Sequence, residues 1–132
     1  MINFFSVSYE KRIVDLPGYG YARVSSAISA SWRKNLENYL CFRKSLKGVV
    51  LLMDIRNALK ESDKTMIEWL RSIDLPIHVL LAKSDKLSKS SRSIELQRVT
   101  KDLGGRISCQ LFSSKSQEGL KSLEKTLTFW LN

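Results

Sequence analysis

From Val49 onward, short apolar runs alternate with stretches whose apolar residues recur every three to four positions. The run 49–55, closed by Asp54 and Arg56, has the continuous apolar character of a strand buried on both faces. Ser62 or Asp63 can cap a following helix that carries Met66, Ile67, Trp69 and Leu70 and ends before Pro76. Residues 77–82 read as a second buried strand. Ser90 or Ser91 then begins a helix through Leu96, Val99 and Leu103, stopped by Gly104-Gly105. Residues 107–112 read as a strand, and residues 119–131 as a closing helix with Leu120, Leu123, Leu127 and Trp130 on one side. Each helix is long enough to cross between parallel strands, so the pattern predicts an α/β fold with a mostly parallel sheet and helices on both faces.

Upstream, residues 2–9 and 12–16 read as two strands separated by the polar Glu10-Lys11. Pro17-Gly18-Tyr19-Gly20 breaks regular structure. Between Ser29 and Lys44, the spacing of Trp32, Leu36, Tyr39, Leu40 and Arg43 predicts an amphipathic helix.

The 132 residues suit one domain, since domains cluster at roughly 100–150 residues. The longest apolar stretch, 49–53, is far short of the ~20 residues a membrane-spanning helix needs. The N-terminus lacks the basic region and apolar core of a secretory signal. Cys41 and Cys109 have no ligand-like spacing, which points to two reduced, buried thiols and a cytoplasmic protein. Twenty-two Lys and Arg against thirteen Asp and Glu leave a net charge of +9. Such an excess favours a polyanionic partner, although the charge is spread along the chain and also serves as a solvated basic surface.

Ligands of parallel α/β sheets bind outside the carboxyl ends of the strands. Three polar loops follow strands there: Asp15-Leu16-Pro17-Gly18, Lys83-Ser84-Asp85 and Ser113-Ser114-Lys115. In that order they resemble the G3, G4 and G5 elements of GTPases. Asp15 can orient a water on Mg²⁺, a hard cation that prefers oxygen ligands. Gly18 lets its N–H approach a γ-phosphate oxygen. Asp85 offers two acceptor oxygens that match the N1–H and 2-amino donors of guanine. Adenine would leave one oxygen unpaired, at a cost of about 1–3 kcal/mol. The stem of Lys83 can pack on the base, and the Ser114 N–H can reach guanine O6. Taken singly, each motif is also an ordinary turn or a charged strand exit.

Residues 14–22, Val-Asp-Leu-Pro-Gly-Tyr-Gly-Tyr-Ala, resemble the D-L-P-G-Y-G-Y-A signature of the EngB (YihA/YsxC) family of GTP-binding proteins. Trp32, Leu40 and Arg43, the segment Asp54-Ile55-Arg56 with Asp63, Met66 and Trp69-Leu70, and Phe112-Ser113-Ser114 with Gly119 are similar to further elements of that family. The resemblance covers essentially the whole chain. It implies a Ras-like (P-loop NTPase) G domain over residues 1–132 that uses GTP or GDP and Mg²⁺. Asp15, Leu16, Pro17, Gly18 and Tyr19 would form its switch, with Asp15 reaching the metal through water. Lys83, Ser84, Asp85, Ser113, Ser114 and Lys115 would hold guanine. It further implies a role in assembly of the large ribosomal subunit, with ribosomal RNA as partner, and in cell division and septation.

The chain departs from the family pattern in three ways. It has no G-x-x-x-x-G-K-[ST] phosphate loop, since none of Gly18, Gly20, Gly48, Gly104, Gly105 and Gly119 precedes a lysine, and it has no switch I threonine. Ala82 stands where the G4 element opens with Asn or Thr. Asn57-Ala58 stands for His-Pro. Tyr19 occupies the place of the water-positioning Gln of Ras-like enzymes, which implies slow intrinsic hydrolysis; Tyr19 and Tyr21 packing on the Trp32 helix is the simpler reading. The expectation is a partial G domain without its first strand, phosphate loop and first helix, and a weak nucleotide binder on its own. The gap left in the sheet would be closed by direct pairing of residues 12–16 with residues 49–55 or by a swapped or edge-paired second copy, the full-length form being monomeric. A nucleotide-independent basic RNA-binding module on the same scaffold is the alternative, and a flavodoxin- or response-regulator-like domain a more distant one.

Overall fold

The structure, a computed structural model, describes residues 3–8, 11–15, 34, 38 and 46–132. The chain divides into two compact units, Met1–Lys44 and Ser45–Trp130. In the first, strands β1 (Asn3–Ser8) and β2 (Lys11–Asp15) form an antiparallel pair, with Asn3 opposite Asp15 and Phe5 opposite Ile13. The register shifts between Ser6 and Ser8, so Ser8 pairs with Lys11. Of the helix expected between Ser29 and Lys44, only Lys34 and Asn38 are described; both are helical and exposed.

The second unit alternates as its hydrophobic periodicity requires: β3 (Val49–Asp54), α1 (Glu61–Ser72), β4 (Ile77–Ala82), α2 (Lys89–Leu103), β5 (Ser108–Leu111) and α3 (Leu120–Leu131). Single turns of 3₁₀ helix follow β3 at Ile55–Asn57 and β4 at Ser84–Lys86. The three strands are parallel in the order β3–β4–β5, and β2 belongs to a different sheet from β3.

Register decides which side chains share a face. Leu51 lies opposite Val79, Met53 opposite Leu81, and Val79 opposite Cys109. Leu51, Met53, Ile77, Val79 and Leu81 are buried, together with Met66, Ile67 and Leu70 of α1 and Val99 and Leu103 of α2. Each such side chain contributes roughly 1.5–3 kcal/mol by leaving water. The Arg71 guanidinium donates to the Leu103 carbonyl at 2.5 Å and so joins the ends of α1 and α2.

His78 and Gln110 lie on the other face of the sheet. The Gln110 amide nitrogen donates to the Leu111 and Gly119 carbonyls, which leaves its Oε1 to accept from His78 Nε2 at 2.7 Å. His78 Nδ1 lies 2.5 Å from the Ser108 hydroxyl. The Trp130 ring of α3 meets the buried His78 ring edge-on, with centroids 6.4 Å apart. Gly48 makes room for that indole, because a Cβ there would sit 2.7 Å from Trp130 Cε3.

Three local expectations are corrected. β3 is not buried on both faces, since Leu52 is 60% exposed. Of the three parallel strands, β4, flanked by a strand on each side, is covered along nearly its whole length. Helix α1 starts at Glu61, and Asp63 acts from its third position, accepting the Lys60 N–H at 3.0 Å rather than standing at the cap. Helix α2 is capped by Ser88, whose hydroxyl oxygen accepts the Ser91 N–H; Ser90 and Ser91 lie inside the first turn. Gly104 ends α2 with φ +84°, as its sequence position predicts. Among the described residues, no helix is long and apolar enough to cross a membrane.

Candidate functional site

The carboxyl ends of β4 and β5 open into two loops that the main chain ties together. The Phe112 N–H donates to the Leu81 carbonyl and the Ser84 N–H to the Phe112 carbonyl, which extends the ladder past both strands. Lys83 leaves β4 in the left-handed region, φ 59° and ψ 36°, and the chain turns directly into Ser84–Lys86. Asp85, half-buried, is thereby brought to the Ser113 loop.

Ser113 is fully buried. Its hydroxyl donates to Asp85 Oδ1 at 2.7 Å and accepts the Ser116 N–H at 3.1 Å. One such bond leaves most of the acceptor capacity of a carboxylate, about four lone-pair sites, unspent. The Ser113 hydroxyl, with support from the backbone and from Lys86 and Lys115, holds the Asp85 carboxyl below the usual carboxylate range. Asp85 is therefore ionised and aimed at neutral pH, the state that accepts two N–H donors from one edge of a base. The side chains of Lys83, Ser114 and Lys115 are exposed at the same strand ends.

Ser84 is fully buried too, and its hydroxyl donates to Glu118 Oε1 at 2.5 Å. Of the six residues that the loops contribute to the expected base site, Ser84 and Ser113 thus turn their hydroxyls inward and organise the loops. Asp85 is half-buried, and Lys83, Ser114 and Lys115 are exposed.

Two features lie beyond the three loops expected to bind nucleotide. Asp54, at the end of β3, accepts from the Arg56 main-chain N–H at 2.9 Å, from its Nε at 3.0 Å and from its Nη2 at 2.7 Å. Arg56 keeps the Asp54 carboxyl well below its ordinary value. Lys83 Nζ lies 3.7 Å from the same carboxylate, so Asp54 also braces the G4-like lysine. The second feature is Glu118, which accepts from Arg92 Nη1 at 2.9 Å in addition to Ser84. Neither Glu118 nor Arg92 falls in a motif, and their spacing of 26 residues carries no local signal.

Asp15 ends β2, and Leu16, Pro17, Gly18 and Tyr19 lie outside the described residues. Among the described residues, no three His, Cys, Asp or Glu side chains gather as a metal site.

No family model matches the chain. It is 49% identical over 135 residues to a probable GTP-binding protein EngB of Francisella philomiragia, covering 98% of this chain and 68% of that protein. It is 44% identical to the probable GTP-binding protein EngB of Coxiella burnetii over 98% of its own length, and 46% identical to that of Aeromonas hydrophila over the same share. The chain spans 65% of the length of the Coxiella relative and 62% of the Aeromonas one. A crystal structure of a probable GTP-binding protein EngB superposes with a TM-score of 0.72 over 99% of this chain and 83% of its own, at 16% identity. That likeness identifies the fold as the α/β fold of a Ras-like G domain. With strand-end loops of matching order and 49% identity to a relative over 98% of its own residues and 68% of that protein, the chain belongs to the EngB family of GTP-binding proteins.

Proposed function

We propose that this chain reads guanine with the loops after β4 and β5 and serves as part of a GTP-dependent switch. The observation that carries the reading is the Asp85 carboxylate, fixed at the strand ends by the Ser113 hydroxyl at 2.7 Å. Asp85 accepts from N1–H and the 2-amino group of guanine, Lys83 lays its stem along the base, and the Ser114 N–H meets O6. Lys115 is exposed next to Ser114 at the same strand end. Adenine would leave an Asp85 oxygen desolvated and unpaired, a penalty of about 1–3 kcal/mol.

Asp15, with Leu16, Pro17, Gly18 and Tyr19, is the switch in this reading. Asp15 would orient a water of the nucleotide-bound Mg²⁺, which neutralises phosphate charge. The 132 residues hold no G-x-x-x-x-G-K-[ST] run. The expected affinity of this chain alone is therefore weak, with the base-reading loops supplying selectivity. The resemblance to the family implies ribosomal RNA as partner and a role in large-subunit assembly in the cytoplasm, linked to cell division, and the net charge of +9 suits a polyanionic partner of that kind. The same charge favours, as second reading, a basic RNA-binding module indifferent to nucleotide.

The test is titration of the chain with GDP, GTP and ADP in Mg²⁺, followed by amide shifts at Asp85, Lys86, Ser114 and Lys115. Guanine nucleotides should move these signals at lower concentration than ADP, and Asp85→Asn should erase the difference. Equal response to ADP would overturn the guanine reading. Ribosome binding unaffected by any nucleotide would favour the second.

A further inference from the structure

Glu118 belongs to neither expected loop motif, yet it joins the elements that carry both. Its Oε1 takes a hydrogen bond from the Ser84 hydroxyl at 2.5 Å and one from Arg92 Nη1 of α2 at 2.9 Å. Its main-chain carbonyl accepts the Ser113 N–H at 3.0 Å, and its own N–H donates to the Ser116 hydroxyl at 3.4 Å. Ser84 precedes Asp85, and Ser113 binds Asp85. The bonds therefore close a ring: Ser84 to Glu118, Glu118 to Ser113, Ser113 to Asp85, and Asp85 back to Ser84 through the chain. The next residue, Gly119, has φ +81°, and a Cβ there would lie 2.0 Å from the Leu111 carbonyl oxygen. The segment is thus pressed against the end of β5 and has little slack.

We propose that Glu118, gripped by Ser84 and Arg92, is a positioning residue that sets the separation of the Asp85 turn and the Ser113 loop, and through it the preference for guanine over adenine. The inference rests on the guanine reading above. Discrimination of this kind depends on donors and acceptors held to within about 0.5 Å by supporting side chains that are themselves locked. Both bonds to Glu118 Oε1 are charge-assisted, and the Ser84 hydroxyl and Arg92 hold its carboxyl below the usual glutamate range. Removing the carboxylate frees the turn from α2 and leaves the strands intact, so the loss falls on base selectivity.

The test compares the whole 132-residue chain with its Glu118→Ala, Glu118→Gln and Arg92→Ala variants in GDP and ADP titrations. The ratio of GDP to ADP affinity should fall about tenfold in Glu118→Ala and Arg92→Ala, the scale of one charge-assisted hydrogen bond. Glu118→Gln, which still offers an oxygen to Ser84, should keep most of the ratio. A ratio unchanged in Glu118→Ala would overturn the proposal, as would a Gln variant no better than Ala. Hydrogen exchange at the Ser84 and Ser113 amides without nucleotide reads the clamp separately, and should quicken about tenfold in Glu118→Ala. Unchanged exchange would overturn the clamp itself. A parent chain with no guanine preference but with the expected exchange would instead overturn the guanine reading and the selectivity assigned to Glu118. Should Glu118→Ala fail to fold, Arg92→Ala carries the same comparisons.

Discussion

At residue 119 two constraints coincide, a left-handed backbone and a carbonyl oxygen where a side chain would begin. Gly119→Ala should therefore destabilise the chain by about 1–3 kcal/mol or more, read as a lower urea midpoint with unchanged slope. Gly104 also has positive φ, at ψ 178° and with open space around it, so an alanine there meets backbone strain without a clash. The comparison separates steric clash from backbone strain. Sequence alone marks both positions as glycines near helix ends, but cannot rank them, because the clash partner at Gly119 is supplied by β5. The same limit applies to Ser84 and Ser113. Their places in the loops are legible from order and spacing, whereas their burial is not, since it depends on Glu118 and Asp85 arriving from elsewhere in the chain.

Among the elements, β4 follows directly from its apolar run, and the helices from their periodicity. The start at Ser90 or Ser91 is corrected to Ser88 for a physical reason: any of the three serines is able to accept an amide, and the turn geometry selects Ser88. The exposure of Leu52 was hidden because hydrophobicity does not reveal whether a strand lies at the rim of its sheet. The docking of α3 turns on the indole of Trp130 over Gly48 and His78. Gly48→Ala should push that ring aside at a cost of about 1–3 kcal/mol. A shifted tryptophan emission and a lower melting temperature would report it, and an unchanged spectrum would argue against the contact.

Across the molecule, the depressed carboxylates Asp54, Asp85 and Glu118 act together. Each has a folded value below its ordinary one, so its contribution to stability is complete above the unfolded value and is lost as pH falls through the folded one. Melting temperature should be flat above about pH 5 and decline below about pH 4, given ordinary values of 4.5 for Glu118 and 3.8 for the aspartates. Glu118→Gln should shallow that decline, and an identical slope would remove Glu118 from the account. Arg56 lies two residues from Asp54 and Lys86 next to Asp85, but Ser113 and Ser84 reach Asp85 and Glu118 from 28 and 34 residues away, which is why motif reading locates the loops but only part of their electrostatics.

Lys83 holds a backbone conformation that glycine adopts at no steric cost and other L-residues at roughly 1–2 kcal/mol. In the proposed guanine site, keeping a lysine there would set folding against ligand selectivity, a trade-off concentrated in one residue. Lys83→Gly should leave the chain at least as stable as before while weakening guanine binding. A variant that lost both together would show instead that the contact between Lys83 and Asp54 outweighs the strain of the turn.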